Sequence, residues 1–220
     1  MKSFSKAKTR LNLPQIQKED LCLKMFDEVL RTISNCKSID KILVVSKDEQ
    51  AMKLSKQYNT MQIFDHETGV NDATDLANQY LIDKKYDCSI IFPQDIPIMK
   101  PSDIDNIFSF FKSETGVIIV PSRQFNGTNA LLQSPVGIMN TQYDRGSYRY
   151  QLDAAKAATK NTSIALIRRI MLDIDDSSDL SLMLNQNEKP DFCKQIIDLQ
   201  QSQPSFLFYN TSFFHDVICY

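Results

Sequence analysis

Residues 41–46 read KILVVS. Three apolar residues follow Ile42 without a polar break, so both faces of an extended segment would be apolar. That is the pattern of a short strand inside a sheet covered on both sides, as parallel sheets are.

The reading extends outward from this stretch. Upstream, over residues 16–36, Leu21, Met25, Val29 and Ile33 recur at steps of four, with Cys22, Phe26 and Leu30 beside them. This spacing predicts one core-facing helix. Downstream, the pattern predicts a helix over 48–58, a strand over 61–64, a helix over 71–84 and a buried strand, CSIIF, over 88–92. After Pro101 comes a helix over 102–112, with Ser102 near its N-cap, then the strand GVIIVPS over 116–122. The second half is less regular: a strand over 129–133, a helix over 147–158, an extended segment over 163–174, and a closing helix over 177–184. Such alternation implies an α/β fold, a mostly parallel Rossmann-like sheet with helices on both faces.

With 220 residues, 42% of them hydrophobic and 24% charged, the chain can bury one sizeable core. The expectation is a single domain over 1–200 and an aromatic-rich tail over 201–220. Five cysteines stand apart with no CxxC pair, which points to free thiols and a reducing, cytoplasmic setting. No apolar run approaches the roughly 18 to 20 residues of a membrane helix, and no signal-peptide core follows the start. The net charge of −2 argues against general attraction to nucleic acid. The basic character is local: the opening MKSFSKAKTRL carries Lys2, Lys6, Lys8 and Arg10 with no acid among them.

In α/β sheets ligands bind beyond the carboxyl ends of the strands. Three polar clusters fall there. In FPQDIP, Asp95 stands between Pro93 and Pro97, whose fixed backbones restrict where its carboxylate points. In LDIDD, Asp173 and Asp175 share a face if the segment is extended, and two like charges side by side call for a cation. Mg²⁺, a hard ion that prefers carboxylate oxygen, suits Asp95, Asp173 and Asp175, while Asp176 reads as the cap of the next helix. In NGTNALL (126–132), hydroxyl and amide side chains could hold a phosphate or carboxylate, although NGT is also ordinary turn sequence. Beside two acidic clusters, the basic opening makes sense as a clamp for a triphosphate bridged by Mg²⁺. With five glycines and no G-x-x-x-x-G-K-[ST], the chain is not a P-loop ATPase. His66 and His215 lack the partners of a hydrolase triad or a zinc site.

Taken in order, KSFSKAKTRL, KILVVS, GVNDATDLANQYL, FPQDIPIMKPSDID, GTNALL, DRGSYRYQLDAA and LDIDDSSDL resemble the 2-phospho-L-lactate guanylyltransferase family of deazaflavin coenzyme F(420) biosynthesis, whose bacterial relatives use phosphoenolpyruvate. The resemblance implies a nucleotidyltransferase fold similar to that of the molybdenum cofactor guanylyltransferases. It also implies transfer of GMP from GTP to (2S)-2-phospholactate or phosphoenolpyruvate, with Mg²⁺ as cofactor. By position it implies that Lys2, Lys6, Lys8, Arg10 and Asn71 bind the nucleotide and that Lys8, Arg10 and Asp95 act in catalysis. Thr128, Asp144 and Ser147 fall at acceptor positions, Asp144 three residues ahead of the serine where the relatives have glycine. Family members carry a short hydrophobic strand ending in PVK before the basic loop. Here Lys2 is its only remnant, so the sheet is expected to lack its first strand, either because the true start lies upstream or because the strand is lost.

Four points stay open at this level: the acceptor, the purine, whether one or both of Asp173 and Asp175 join Asp95 at the metal, and a homodimer. Two rival readings also stand, another nucleotidyltransferase of the same fold acting on a molybdopterin or sugar phosphate, and a non-catalytic anion-binding module built on the basic opening.

Overall fold

The computed structural model describes residues 8–66, 69–143 and 146–201. Helix α1 (Gln15–Ser34) follows Pro14 and buries Leu21, Cys22, Met25, Phe26, Val29 and Leu30, the stripe its four-residue spacing predicts. Strand β1 (Leu43–Ser46), helix α2 (Glu49–Ser55) and strand β2 (Met61–Phe64) come next, with one 3₁₀ turn at Lys56–Tyr58. The Asp48 side chain accepts hydrogen bonds from the Gln50 and Ala51 amides and so starts α2. Then come α3 (Val70–Asp83), β3 (Ser89–Ile91), α4 (Pro101–Phe110), β4 (Gly116–Pro121), β5 (Thr128–Ser134), α5 (Ser147–Ala158) and β6 (Thr162–Ile164), followed by α6 (Arg168–Met171), α7 (Ser177–Gln186) and α8 (Pro190–Gln201).

The strands form two sheets. β1 and β2 pair in parallel, Leu43 against Met61 through Ser46 against Phe64. The other sheet has the order β3-β5-β4-β6. There β4 and β6 run parallel, while β5 runs antiparallel to both neighbours. The link between β4 and β5 is too short for a crossover, which dictates the antiparallel pairing. Every residue of β4 and β5 is buried. Alternate residues serve opposite faces: Ile118, Val120 and Leu132 meet Ile104 and Ile107 of α4, whereas Val117, Ile119 and Leu131 meet Ala155 of α5.

Several expectations are corrected. Lys100, not Ser102, precedes α4, with Pro101 in the first turn and Asp103 accepting from the Lys100 amide. Residues 163–174 are not one extended segment, since β6 ends at Ile164 and the single turn α6 interrupts the rest. α7 does not close the fold: α8 follows, buries Phe192, Cys193 and Ile196, and packs on α1. Gln201, assigned to the tail, is the last residue of α8; the rest of the tail lies outside the described residues.

Between the edges of β1 and β3 lies a cavity of about 920 Å³. Leu43 to Val45 line one side and Ser89 to Phe92 the other, with Phe26 and Val29 of α1 and Ala73 and Ala77 of α3 also reaching it. Among the described residues no strand joins the two sheets there. Lys8, Arg10, Asp95 and Asp175 also line this cavity. No helix of the described residues is long and apolar enough to cross a membrane.

Candidate functional site

Asp95 follows β3 in a turn fixed by burial of Ile96, Ile98 and Met99. Its carbonyl accepts a hydrogen bond from the Ile174 amide at 2.9 Å, which ties this turn to the segment bearing Asp173 and Asp175. Two parts of the sequence that are remote in the chain thus bring their carboxylates together.

Lys8 sits among them. Its ammonium donates to Asp95 Oδ2 at 2.5 Å and to Asp175 Oδ1 at 3.0 Å, and its side chain is only 5% exposed. Burial by itself lowers the pKa of an ammonium, but the two carboxylates outweigh that effect and hold Lys8 raised and charged. The Lys8 backbone has φ of +55°, a left-handed conformation that costs a non-glycine residue on the order of 1–2 kcal/mol. Strain of this kind concentrates at sites where the fold must aim a side chain. Arg10, 65% exposed, pairs with the other oxygen of Asp175 at 2.5 Å.

Asp173 is held differently. Asn129 Nδ2 donates to Asp173 Oδ1 at 3.1 Å and to the Ile170 carbonyl at 2.9 Å. Burial pushes the Asp173 carboxyl above the usual carboxylate range; the Asn129 hydrogen bond opposes this, and the charges of Asp95 and Asp175 add to it. Asp176 caps α7 by accepting from the Ser178 and Asp179 amides, as read from sequence. Asp179 accepts from the Asp175 and Asp176 amides at 3.2 and 3.3 Å and pairs with Arg123 at 3.0 Å. A cavity of about 60 Å³ opens between Arg10, Arg123, Asp173 and Asp175.

As they stand, no three His, Cys, Asp or Glu side chains among the described residues gather closely enough to ligate one ion. The metal set Asp95, Asp173 and Asp175 is therefore brought into one neighbourhood but not into one coordination shell, because the Lys8 ammonium bridges two of its members. The chemistry of the donors still suits a hard divalent cation: they are carboxylate oxygens whose mutual repulsion demands positive charge.

The fold brings the hydroxyls of Thr128 and Ser147 together. Ser147 Oγ lies 3.3 Å from Thr128 Oγ1, both residues buried, at the start of β5 and the first turn of α5. Gly146 leads into that helix with φ of +81°, which glycine adopts freely. A helix N-terminus with hydroxyls beside it favours an anion.

Asn71 is placed elsewhere. It does not line the large cavity, and its Oδ1 accepts the Tyr143 amide at 2.7 Å, tying α3 to the loop before α5. Lys2, Lys6 and Asp144 lie outside the described residues. Reading the sequence missed Asn129, Arg123 and Asp179; Asn129 lay inside GTNALL and Asp179 inside LDIDDSSDL, both motifs already singled out, whereas Arg123 lay in none.

A family described as "Guanylyl transferase CofC like" matches residues 1–203. The 2-phospho-L-lactate guanylyltransferase of Methanobrevibacter smithii is 26% identical over 200 residues, covering 90% of this chain and 87% of that protein. The phosphoenolpyruvate guanylyltransferase of Sphaerobacter thermophilus is 24% identical over 180 residues, covering 80% and 86%. Among solved structures, a protein described as a nucleotide-diphospho-sugar transferase from Desulfovibrio desulfuricans G20 superposes with a TM-score of 0.69 at 13% identity, covering 89% of this chain and 91% of that one. The 4-diphosphocytidyl-2C-methyl-D-erythritol synthase of Anaerococcus prevotii gives 0.54 at 11% identity, covering 72% and 83%. At such identities these two structures speak for the fold alone.

Proposed function

Because the chain belongs to the family of CofC-like guanylyl transferases, we propose that it transfers GMP from GTP to a phosphorylated three-carbon acid, (2S)-2-phospholactate or phosphoenolpyruvate, and releases pyrophosphate. The observation that supports this most directly is the buried Lys8 ammonium between Asp95 and Asp175, with Arg10 on the second carboxylate.

The chemistry asks for charge management rather than proton transfer. The second pKa of a phosphate monoester is about 6, so at neutral pH the acceptor is already a dianion and needs no general base. One of its phosphate oxygens attacks the α-phosphorus of GTP. The new phosphorus–oxygen bond forms as the bond to the β-phosphate bridging oxygen breaks, and the electron pair leaves with pyrophosphate. Lys8 and Arg10, with Lys2 and Lys6 of the same basic stretch of sequence, are the cations that draw the triphosphate in and stabilise the departing charge. Thr128 and Ser147, at the positive end of α5, receive the acceptor's anionic end.

Asp95, Asp173 and Asp175 are the residues that would hold Mg²⁺. The ion would supply further neutralisation of phosphate oxygens. Within this chain, the Lys8 ammonium balances the charge of the Asp95 and Asp175 carboxylates.

The test is direct: purified protein with GTP and Mg²⁺ is given each acid in turn, and pyrophosphate and the diphosphoguanosine product are measured. Turnover with one of the two acids is the expected result. Pyrophosphate release with neither acid, under conditions where a molybdopterin or sugar phosphate is turned over, would overturn the assignment.

A further inference from the structure

Asn129 occupies an irregular point of the sheet. Val120 faces Ala130 and Pro121 faces Thr128, so the register of β4 against β5 shifts between them and Asn129 is the extra residue of a β-bulge. Bulges insert an unpaired residue and turn its side chain away from the regular alternation. The side chain so turned is 4% exposed, and its amide nitrogen makes two bonds: one anchors it to the Ile170 carbonyl and the other reaches Asp173 Oδ1. Residues on either side of the bulge serve other purposes, Thr128 toward Ser147 and Ala130 in the core beneath α4.

We propose that Asn129 is a positioning residue for the transfer site: its amide fixes Asp173 by one carboxylate oxygen and leaves the other as the donor to the divalent cation. This rests on the reading of Asp173 as a cation ligand. A side-chain amide suits the task, because its NH₂ group can donate to the protein carbonyl and to the carboxylate together while adding no charge. Such outer contacts set the orientation of a carboxylate ligand, and their loss typically weakens metal binding 10- to 100-fold.

The test uses Mn²⁺ alone, counted as free ion by electron paramagnetic resonance, on the full chain in four forms: native, Asn129→Ala, Asp173→Asn and the double variant. Asn129→Ala is expected to weaken Mn²⁺ binding about 10-fold or more. Asp173→Asn is expected to weaken it further, and the double variant to match Asp173→Asn, since a residue acting only through Asp173 has nothing left to position. Native-like Mn²⁺ affinity in Asn129→Ala, or losses that add in the double variant, would overturn the proposal. Should Asn129→Ala lose its native circular dichroism, Asn129→Ser, whose hydroxyl falls short of Asp173, takes its place with the same expected weakening. Native Mn²⁺ affinity in Asp173→Asn alone would remove the ligand reading on which the inference stands, whereas a loss there with none at Asn129 would remove only the inference.

Discussion

The cluster around Lys8 and the hydroxyl pair of Thr128 and Ser147 are joined through one strand end, yet they are built on opposite principles. The first consists of full charges gathered from three distant segments: Lys8 reaches 87 residues to Asp95 and 167 to Asp175. The second consists of neutral groups only 19 residues apart, set at a helix start. A buried charge requires a partner, so the first region depends on all its members at once, whereas a hydroxyl can be lost with its neighbour left intact. The contrast fits a division of labour in which charge handles the polyphosphate and fixed dipoles sort the acceptor.

The sharpest way to break that division is at Lys8. Lys8→Ala leaves Asp95 and Asp175 unpaired and is expected to lower kcat on the order of 10² to 10³-fold, the scale of losing one transition-state donor. Steady-state pyrophosphate release measures it, and a loss below tenfold would mean that the bridge is structural only. A smaller effect is expected from the neutral side: Thr128→Val, which keeps the shape and removes the hydroxyl, should raise KM for the phospho-acid about tenfold, the worth of one hydrogen bond to a charged group, and leave KM for GTP unchanged. An equal change in both constants would erase the distinction between the regions.

Stability separates them further. Asp176→Ala removes the cap of α7, the helix whose Asp179 holds the Asp175 backbone, and should cost about 1 kcal/mol in urea unfolding. The smallest expected effect is at Cys22, a buried thiol of α1 that senses the charges of both Lys8 and Asp95. Burial pushes this thiol up to about 11, so it stays protonated at pH 8 and yields thiolate only as pH rises through that value. Mass spectrometry after iodoacetamide treatment at pH 8 should find native Cys22 unlabelled; ready labelling would mean that the charged region is open to water.

These contrasts also explain what the sequence could and could not reveal. The strands at Leu43–Ser46 and Ser89–Ile91 were legible because β-branched residues in a short apolar run have few other homes. Helix α1 was legible because twenty residues give its stripe time to repeat. α6 was not, because four residues hold barely one period. α8 did carry a signal, Pro190 at the start and Phe192, Cys193 and Ile196 on one face, but it lay beyond the helix taken as the last. In the site, the types of Asp95, Asp173 and Asp175 were enough to suggest a cation. That Lys8 stands between two of them, and that Asn129 holds the third, depends on folding distances that no local pattern encodes.

The strand pairing has a consequence for motion. Among the described residues β1 and β2 form a two-stranded pair, whereas β4 and β5 each have a strand neighbour on both sides. Amides protected only by a short two-stranded pairing open more cheaply than those in the middle of a four-stranded one. Hydrogen exchange should therefore run faster in Met61–Phe64 than in Gly116–Pro121 and Thr128–Ser134. Lys8 and Asp95 would then stand at the seam between a yielding half of the molecule and a stiff one.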